Sequence, residues 1–462
     1  MNYVSLHPLL TADQWFTPLA KEPYSFFLDS SQGGRYSFLG AYPYKIARTL
    51  LEVEEELNSL SALDIIVPSA LGEIPFLGGA VGFLSYDAVR EWEPHLGSSK
   101  KEPFQIPNIC FGFYDTFFVI DHAQKKTFLI SLELTPQSKE IFEIFKDIEC
   151  SSDTLSNFPA GNLRCRSGSL SCFARTMPAH PARASSEHSM SSKIASNLSF
   201  KSYCSMIKKA QHYIEQGEIY QVNLSQCFSA PLQQDPFLIY QKLRTLNPAP
   251  FSAYFNFGGG EILCSSPERF ISVTQEGLIQ TEPIKGTVKR GKTEKEDQKF
   301  KTFLLESEKN RAELMMIVDL ERNDLGKICQ FGSIHVPTLY ELRTYATVHH
   351  LVSVIRGKLK TNSFSEIIKA TFPGGSITGA PKLRAMQIID ELEPHNRGIY
   401  TGSIGYIDYR RQIDLNIAIR TLIHQNGNFY FPMGGGIVCD STPLNEYEET
   451  FHKGQALISA VS

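Results

Sequence analysis

Apolar residues recur at helical spacing in some stretches of the chain and alternate with polar ones in others. Tyr203, Met206, Ile207, Ala210 and Ile214 share one face of a 3.6-residue repeat and Gly217 follows as a stop, which predicts a helix. The next run, Ile219 to Phe228, alternates at Val222 and Leu224 and predicts a strand. In the N-terminal part, Tyr24 to Leu28, Ile106 to Ile120 and Phe128 to Leu132 are strand-like runs bounded by turn residues. Thr293 and Glu296 have capping-box spacing and open a helical stretch expected to continue toward Leu320. Pro381 and Pro443 are each expected at the first position of a helix. Gly78-Gly79-Ala80-Val81-Gly82 demands close backbone approach or a positive φ, because three glycines add nothing to a regular strand. No internal repeat points to a solenoid.

Residues 151–199 interrupt these patterns. Thirteen of the 49 positions are serine, joined by Pro159, Pro178 and Pro181, so the segment is expected to be a linker or insertion, disordered or loosely packed. It separates an N-terminal region, 1–150, from a larger domain, 200–462. The length of 462 residues allows two or three domains, and 42% hydrophobic with 20% charged residues is ordinary for a globular chain. A net charge of −4 supplies no basic excess, so neither nucleic acid nor an anionic membrane is an expected partner. The longest apolar run, Ile74 to Tyr86, is rich in glycine and well short of the ~20 residues of a membrane span. Met1 to Leu10 has no basic segment, so no targeting signal is read. Nine scattered cysteines without a CxxC pair suit reduced thiols, and a cytoplasmic location is the expectation. These exclusions favour an enzyme acting on a small molecule.

Candidate chemistry gathers in the C-terminal domain. Glu446, Glu449 and Lys453 stand at i, i+3 and i+7 of the last helix and point the same way. Spacing alone also describes a solvated face with intrahelical pairs. Glu313 adjoins the apolar run Leu314 to Val318, and a carboxylate entering a buried stretch needs a partner. Glutamates without nearby Cys or His suit a hard cation, Mg²⁺ first, which completes its shell with substrate oxygens. The Gly374–Lys382 loop superficially resembles a phosphate loop, but Ala380-Pro381 separates Gly379 from Lys382 and no Ser or Thr follows. An NTPase is therefore excluded, leaving a loop that turns backbone N–H groups toward an anion. Gly434-Gly435-Gly436 allows a second close approach to a ligand, or is simply a tight turn. Lys285 is an ordinary surface lysine unless desolvation or a nearby cation makes it nucleophilic. His350 reads as structural.

Several runs together resemble the chorismate-utilising enzymes: Ile219-Tyr-Gln-Val-Asn-Leu-Ser225, Ser266-Pro-Glu-Arg-Phe270, Glu282-Pro-Ile-Lys-Gly-Thr287 and Asp319-Leu-Glu-Arg-Asn-Asp-Leu325. His350-Leu-Val-Ser353, Thr378-Gly-Ala-Pro-Lys382, Ile417-Ala-Ile-Arg420 and Gly434-Gly-Gly-Ile-Val438, followed by Glu446 and Glu449, complete the set in the family's order. Gly34-Arg-Tyr-Ser37 and Gly78–Gly82 with Tyr86-Asp87 are similar to its regulatory half. The resemblance implies an α+β fold of two stacked antiparallel β-sheets with outer helices, built from both halves as in anthranilate synthase component I.

Two positions separate branches of the family. Isochorismate-forming members carry a lysine base where this chain has Gln221. Anthranilate synthases have alanine where Lys285 stands, and lysine there marks the branch that makes 4-amino-4-deoxychorismate for 4-aminobenzoate and folate synthesis. The alternative is anthranilate synthesis for tryptophan. The resemblance then implies Lys285 as nucleophile, Glu268 as general acid and His350 in support. Tyr400, Arg420, Thr378, Gly434, Gly435 and Lys453 are implied as substrate contacts, and Glu313, Glu446 and Glu449 as holders of Mg²⁺. The substrates implied are chorismate and ammonia. No Gly-x-Cys-x-Gly nucleophile motif occurs, so ammonia is expected from a separate glutaminase subunit. Ser30, Tyr36 and Ser37 match the family's tryptophan pocket, although Asp29 replaces its usual glutamate.

Overall fold

The computed structural model describes residues 1–6, 10–97, 100, 104–150, 194–345 and 348–462. Two large antiparallel sheets, of 12 and 10 strands among the described residues, stack over one core that draws apolar side chains from each. Phe83 of one sheet meets Phe255 of the other edge-on, with ring centroids 5.7 Å apart. A second core lies between the larger sheet and outer helices, where Trp15, Phe16, Phe237 and Leu457 are buried. The α+β expectation therefore holds.

Neither sheet belongs to one half of the sequence. In the larger, Phe26–Asp29 pairs with Phe251–Asn256. In the smaller, Gly79–Leu84 pairs with Ser403–Asp408. The glycines of Gly78–Gly82 answer to this pairing. Gly79 has φ +129° and a Cβ there would lie 2.4 Å from the Ile407 carbonyl oxygen, while one at Gly82 would lie 2.0 Å from that of Cys110. The strand runs between two neighbours that leave no room for side chains.

Several expected elements are revised. The single run Ile106 to Ile120 is two strands, Ile109–Tyr114 and Thr116–Asp121, which enter different sheets. The chain crosses over at buried Asp115, whose carboxylate accepts the backbone N–H of Leu134 at 3.1 Å. The helix expected from Thr293 toward Leu320 breaks at Ser307 into Glu294–Glu306 and Glu308–Gly326. Ser307 is extended and accepts the Asn310 N–H, so a second N-cap ends the first helix. Pro381 caps its helix, with Lys382 first, whereas Pro443 takes the expected first position. The serine-rich segment falls outside the described residues over 151–193. Its last six residues join the fold: Ala195–Ser196 pairs with Ser229 and Phe228, and Asn197 accepts the Cys227 N–H at 2.8 Å. The boundary drawn at 200 therefore moves to 194. Among the described residues no helix is long and apolar enough to cross a membrane.

Candidate active site

Lys285 lies on Ile284–Lys289, an edge strand of the smaller sheet beside Val348–Lys358. Its Nζ donates to the Ser376 carbonyl at 3.3 Å, so the Gly374–Thr378 loop faces it. The side chain is half-buried, and desolvation pushes its ammonium pKa below the ordinary lysine value. Glu313 and Glu268 oppose that shift, Lys453 adds to it, and Glu449 opposes it. Glu268 follows the strand Glu261–Ser266 and is only 5% exposed. Its Oε1 accepts the Ile284 N–H at 3.4 Å. Burial pushes this carboxyl upward despite the pull of Lys285 and Lys453. An amine drawn toward neutrality beside a carboxyl drawn toward protonation has the chemistry that a nucleophile and a proton donor need.

The last helix, Pro443–Val461, supplies the acidic wall. A Cβ at Gly435 would lie 3.3 Å from Glu446 Oε2, 3.3 Å from Glu449 Oε1 and 3.5 Å from Lys453 Nζ. The three side-chain ends thus gather over the strand Asn428–Ile437. Glu449 and Lys453 do form the intrahelical pair, at 2.5 Å. Burial, then the like charge of Glu449, pushes Glu446 up. Burial would raise Glu449 too, but the Lys453 ammonium holds it below the usual carboxylate range. Glu313, on Glu308–Gly326, acts electrostatically on Lys285 and Lys309, as Glu449 does. Among the described residues no three acidic, His or Cys side chains are already drawn into a metal cage.

The other expected contacts are buried or half-buried, and several are already committed within the protein. Gly434 faces its neighbouring strand, where a Cβ would sit 2.3 Å from the Leu224 carbonyl oxygen. Thr378 Oγ1 donates to the Gly374 carbonyl at 3.0 Å and closes its own loop. Tyr400 is buried and its hydroxyl is pushed up to about 12 by that burial. Arg420 donates to the Lys453 carbonyl at 2.6 Å and, among the described residues, pairs with no carboxylate. Burial pulls its guanidinium down. Thr401 (φ +61°) and Arg420 (φ +54°) are both in the left-handed region, and the Thr401 N–H donates to the Ala418 carbonyl at 2.8 Å. That bond holds the Tyr400 turn and the Arg420 segment together, and backbone strain of this kind gathers at functional sites. His350 Nδ1 lies 2.8 Å from Thr287 Oγ1, and burial, then Arg420 and His349, pushes the ring down to about 4. It is neutral at neutral pH.

Two groups escaped sequence reasoning, and the burial of a third, Gln221, was not foreseen. Arg397, 2% exposed, pairs with Glu393 at 2.8 Å and donates to the carbonyls of Ile377 and Asn223. Its guanidinium lies 4.7 Å from the Tyr86 ring and 5.8 Å from that of Tyr400. In sequence the two are an acid and a base four residues apart, indistinguishable from a surface pair. Glu321 is buried on Glu308–Gly326, within a motif otherwise full of charge. The Gln221 amide, where isochorismate-forming enzymes carry lysine, is buried with neither end hydrogen-bonded among the described residues.

The residues matched to a tryptophan pocket separate. Ser30 and Tyr36 line a cavity of about 590 Å³ together with Pro250 and Phe251, remote in sequence. Ser37 is not among its lining residues: its Oγ lies 2.8 Å from His122 Nε2 and accepts the Ser30 N–H. Asp29 lines the cavity but is committed to Arg244 at 2.6 Å and to the Tyr240 hydroxyl at 3.2 Å.

A family model described as chorismate binding enzyme matches residues 24–459. The chain is 35% identical to aminodeoxychorismate synthase component 1 of Klebsiella aerogenes, over 96% of this chain and 94% of that protein. It is 34% identical to anthranilate synthase component 1 of Acetivibrio thermocellus, over 94% and 90%. The crystal structure of anthranilate synthase component I from Streptococcus pneumoniae superposes with a TM-score of 0.73 at 29% identity, covering 99% of this chain and 92% of the other.

Proposed function

The chain belongs to the chorismate binding enzymes, and on that premise we propose that it converts chorismate and ammonia to 4-amino-4-deoxychorismate. The observation that carries this choice is Lys285, desolvated among Glu268, Glu313 and Glu449, where the anthranilate branch has alanine. Lys285 Nζ attacks ring C2, both conjugated ring double bonds shift by one position and the C4–O bond breaks. Glu268 gives its proton to the departing hydroxyl, which leaves as water. Ammonia then bonds to C4, both double bonds return, and the C2–N bond breaks with its electron pair restored to Lys285. The proton lost from the new amine replaces the one Glu268 gave. One difficult substitution becomes two easier ones.

Arg420 pairs with the enolpyruvyl carboxylate, Tyr400 donates to it, and Lys453 serves the ring carboxylate. Neutral His350 lies beside the ring as a hydrogen-bonding support. Thr378 and Gly434 act by shaping the loop and strand, and Gly435 leaves the space over which the acidic wall closes. The carboxylates suit a hard cation: the donors are oxygens, and Glu446 is pushed up by burial and a like charge that a cation would relieve. Glu313, Glu446 and Glu449 would hold Mg²⁺, which would supply positive charge for the ring carboxylate. Ammonia comes from glutamine on a separate glutaminase subunit, and a lyase of another chain completes 4-aminobenzoate for folate. The setting is cytoplasmic. For the cavity beside Ser30 and Tyr36, tryptophan is the ligand to test by calorimetry.

The test is incubation of purified protein with chorismate, Mg²⁺ and high ammonium, followed by mass spectrometry and fluorescence. A non-fluorescent product with the mass of 4-amino-4-deoxychorismate, lost in Lys285→Ala, is expected. Fluorescent anthranilate without added lyase would give the assignment to the rival branch.

A further inference from the structure

Glu321 is a buried carboxyl that the mechanism above does not use. It is 6% exposed and accepts the hydroxyl of Thr281 at 2.8 Å. Thr281 is the next-to-last residue of the strand Leu278–Glu282, which leads through Pro283 to Lys285. On its other side Glu321 supports the loop facing Lys285, where a Cβ at Gly375 would lie 3.2 Å from Glu321 Cγ. The side chain thus touches the two segments that set where Lys285 and the Ser376 carbonyl stand.

Among the described residues no cation is reserved for it. The ammonium that acts on it most strongly among the described residues, Lys382 from the helix Lys382–Leu392, already pairs with Asp324 and donates to the carbonyls of Thr371 at 2.8 Å and Pro373 at 2.6 Å. Its three donors are spent. Asp324, one turn along the helix of Glu321, and Glu268 both add negative charge. An unpaired carboxylate in that surrounding is expensive, whereas a carboxylic acid is not.

We propose that Glu321 is a positioning residue that works as a neutral carboxylic acid, fastening the Thr281 strand and the Gly374–Thr378 loop to one helix behind Lys285 and Glu268. Burial, which outweighs the Thr281 hydrogen bond, pushes its carboxyl up to about 8, with Glu268 and Asp324 adding to the rise. The catalytic consequence rests on the chorismate-amination reading, but the protonation state does not.

Three readouts on the whole protein decide it. Infrared spectra of the native chain minus those of Glu321→Gln are expected to contain a carboxylic-acid C=O band that titrates away near pH 8. The native chain keeps a proton on Glu321 that the unfolded chain releases above the ordinary glutamate pKa, so its stability falls as pH rises from there toward 8. Glu321→Gln is therefore expected to raise Tm at pH 8 more than at pH 5. In the ammonia assay at pH 7, Glu321→Gln lowers kcat less than about threefold, while Glu321→Leu, which cannot accept from Thr281, lowers it more than about tenfold. Absence of the difference band, or a Tm gain that does not grow with pH, overturns the neutral acid whatever the enzyme's substrate. Equal damage to kcat from Gln and Leu overturns the positioning role.

Discussion

Lys285 and Glu268 share a desolvated space that moves their pKa values toward each other, the lysine down and the glutamate up. Each shift widens the pH range in which a neutral amine and a protonated carboxyl coexist. The profile of kcat/KM against pH is expected to be a bell: activity rises as Lys285 loses its proton and falls as Glu268 loses its own. Glu268→Gln keeps the shape but cannot give a proton, so kcat drops by roughly 10²–10⁴ with KM little changed. A variant that lost chorismate affinity in place of rate would show Glu268 to be a binding group. The residue types were legible in the sequence because their motifs are specific. Their protonation states were not, since desolvation depends on what folds over a side chain. Glu321 makes the point: in Asp319-Leu-Glu-Arg-Asn-Asp-Leu325 it reads as one more exposed charge, yet it is buried while Asp319 and Arg322 are exposed.

At the scale of elements, the glycine-rich run Gly434-Gly435-Gly436 serves two purposes that spacing could not separate. Gly434 lets two strands approach, and Gly435 leaves room for the acidic wall. Gly434→Ala is expected to lower Tm sharply, because its Cβ meets a backbone oxygen that cannot move without breaking a sheet. Gly435→Ala should fold normally and need more Mg²⁺ for half-maximal rate, since its Cβ crowds the Glu446 and Glu449 carboxylates. If both lose stability alike, the division of roles is wrong. The helix break at Ser307 was hidden for a related reason. The capping signal at Thr293 and the apolar spacing beyond it were both real, but two helices share them. Ser307→Ala removes the second cap and is expected to cost about 0.5–2 kcal/mol in denaturant unfolding.

Across the whole molecule the two halves of the sequence share both sheets. Strands 26–29 and 79–84 find partners only in the C-terminal half on one side, and Arg397 stacks beneath Tyr86 from the N-terminal half. Fragments 1–150 and 194–462 are expected to aggregate when made separately, each with open strand edges, and to recover solubility when made together. A soluble, cooperatively unfolding 194–462 fragment would contradict this. The serine-rich stretch suggested two domains because a linker in sequence resembles a boundary in space. The pairing of sheets across it came only from family resemblance, since strand partners distant in sequence leave no local pattern. What the assembled frame delivers is one lysine poised beside one acid, and its central claim is that Lys285 bonds to the substrate. Intact-protein mass spectrometry, after mixing with chorismate and Mg²⁺ but no ammonia, tests it most directly. The account predicts a species heavier by chorismate less one water, mapped to the Lys285 peptide and discharged by ammonium. Turnover at the native rate by Lys285→Ala, with no adduct on the native chain, would contradict it.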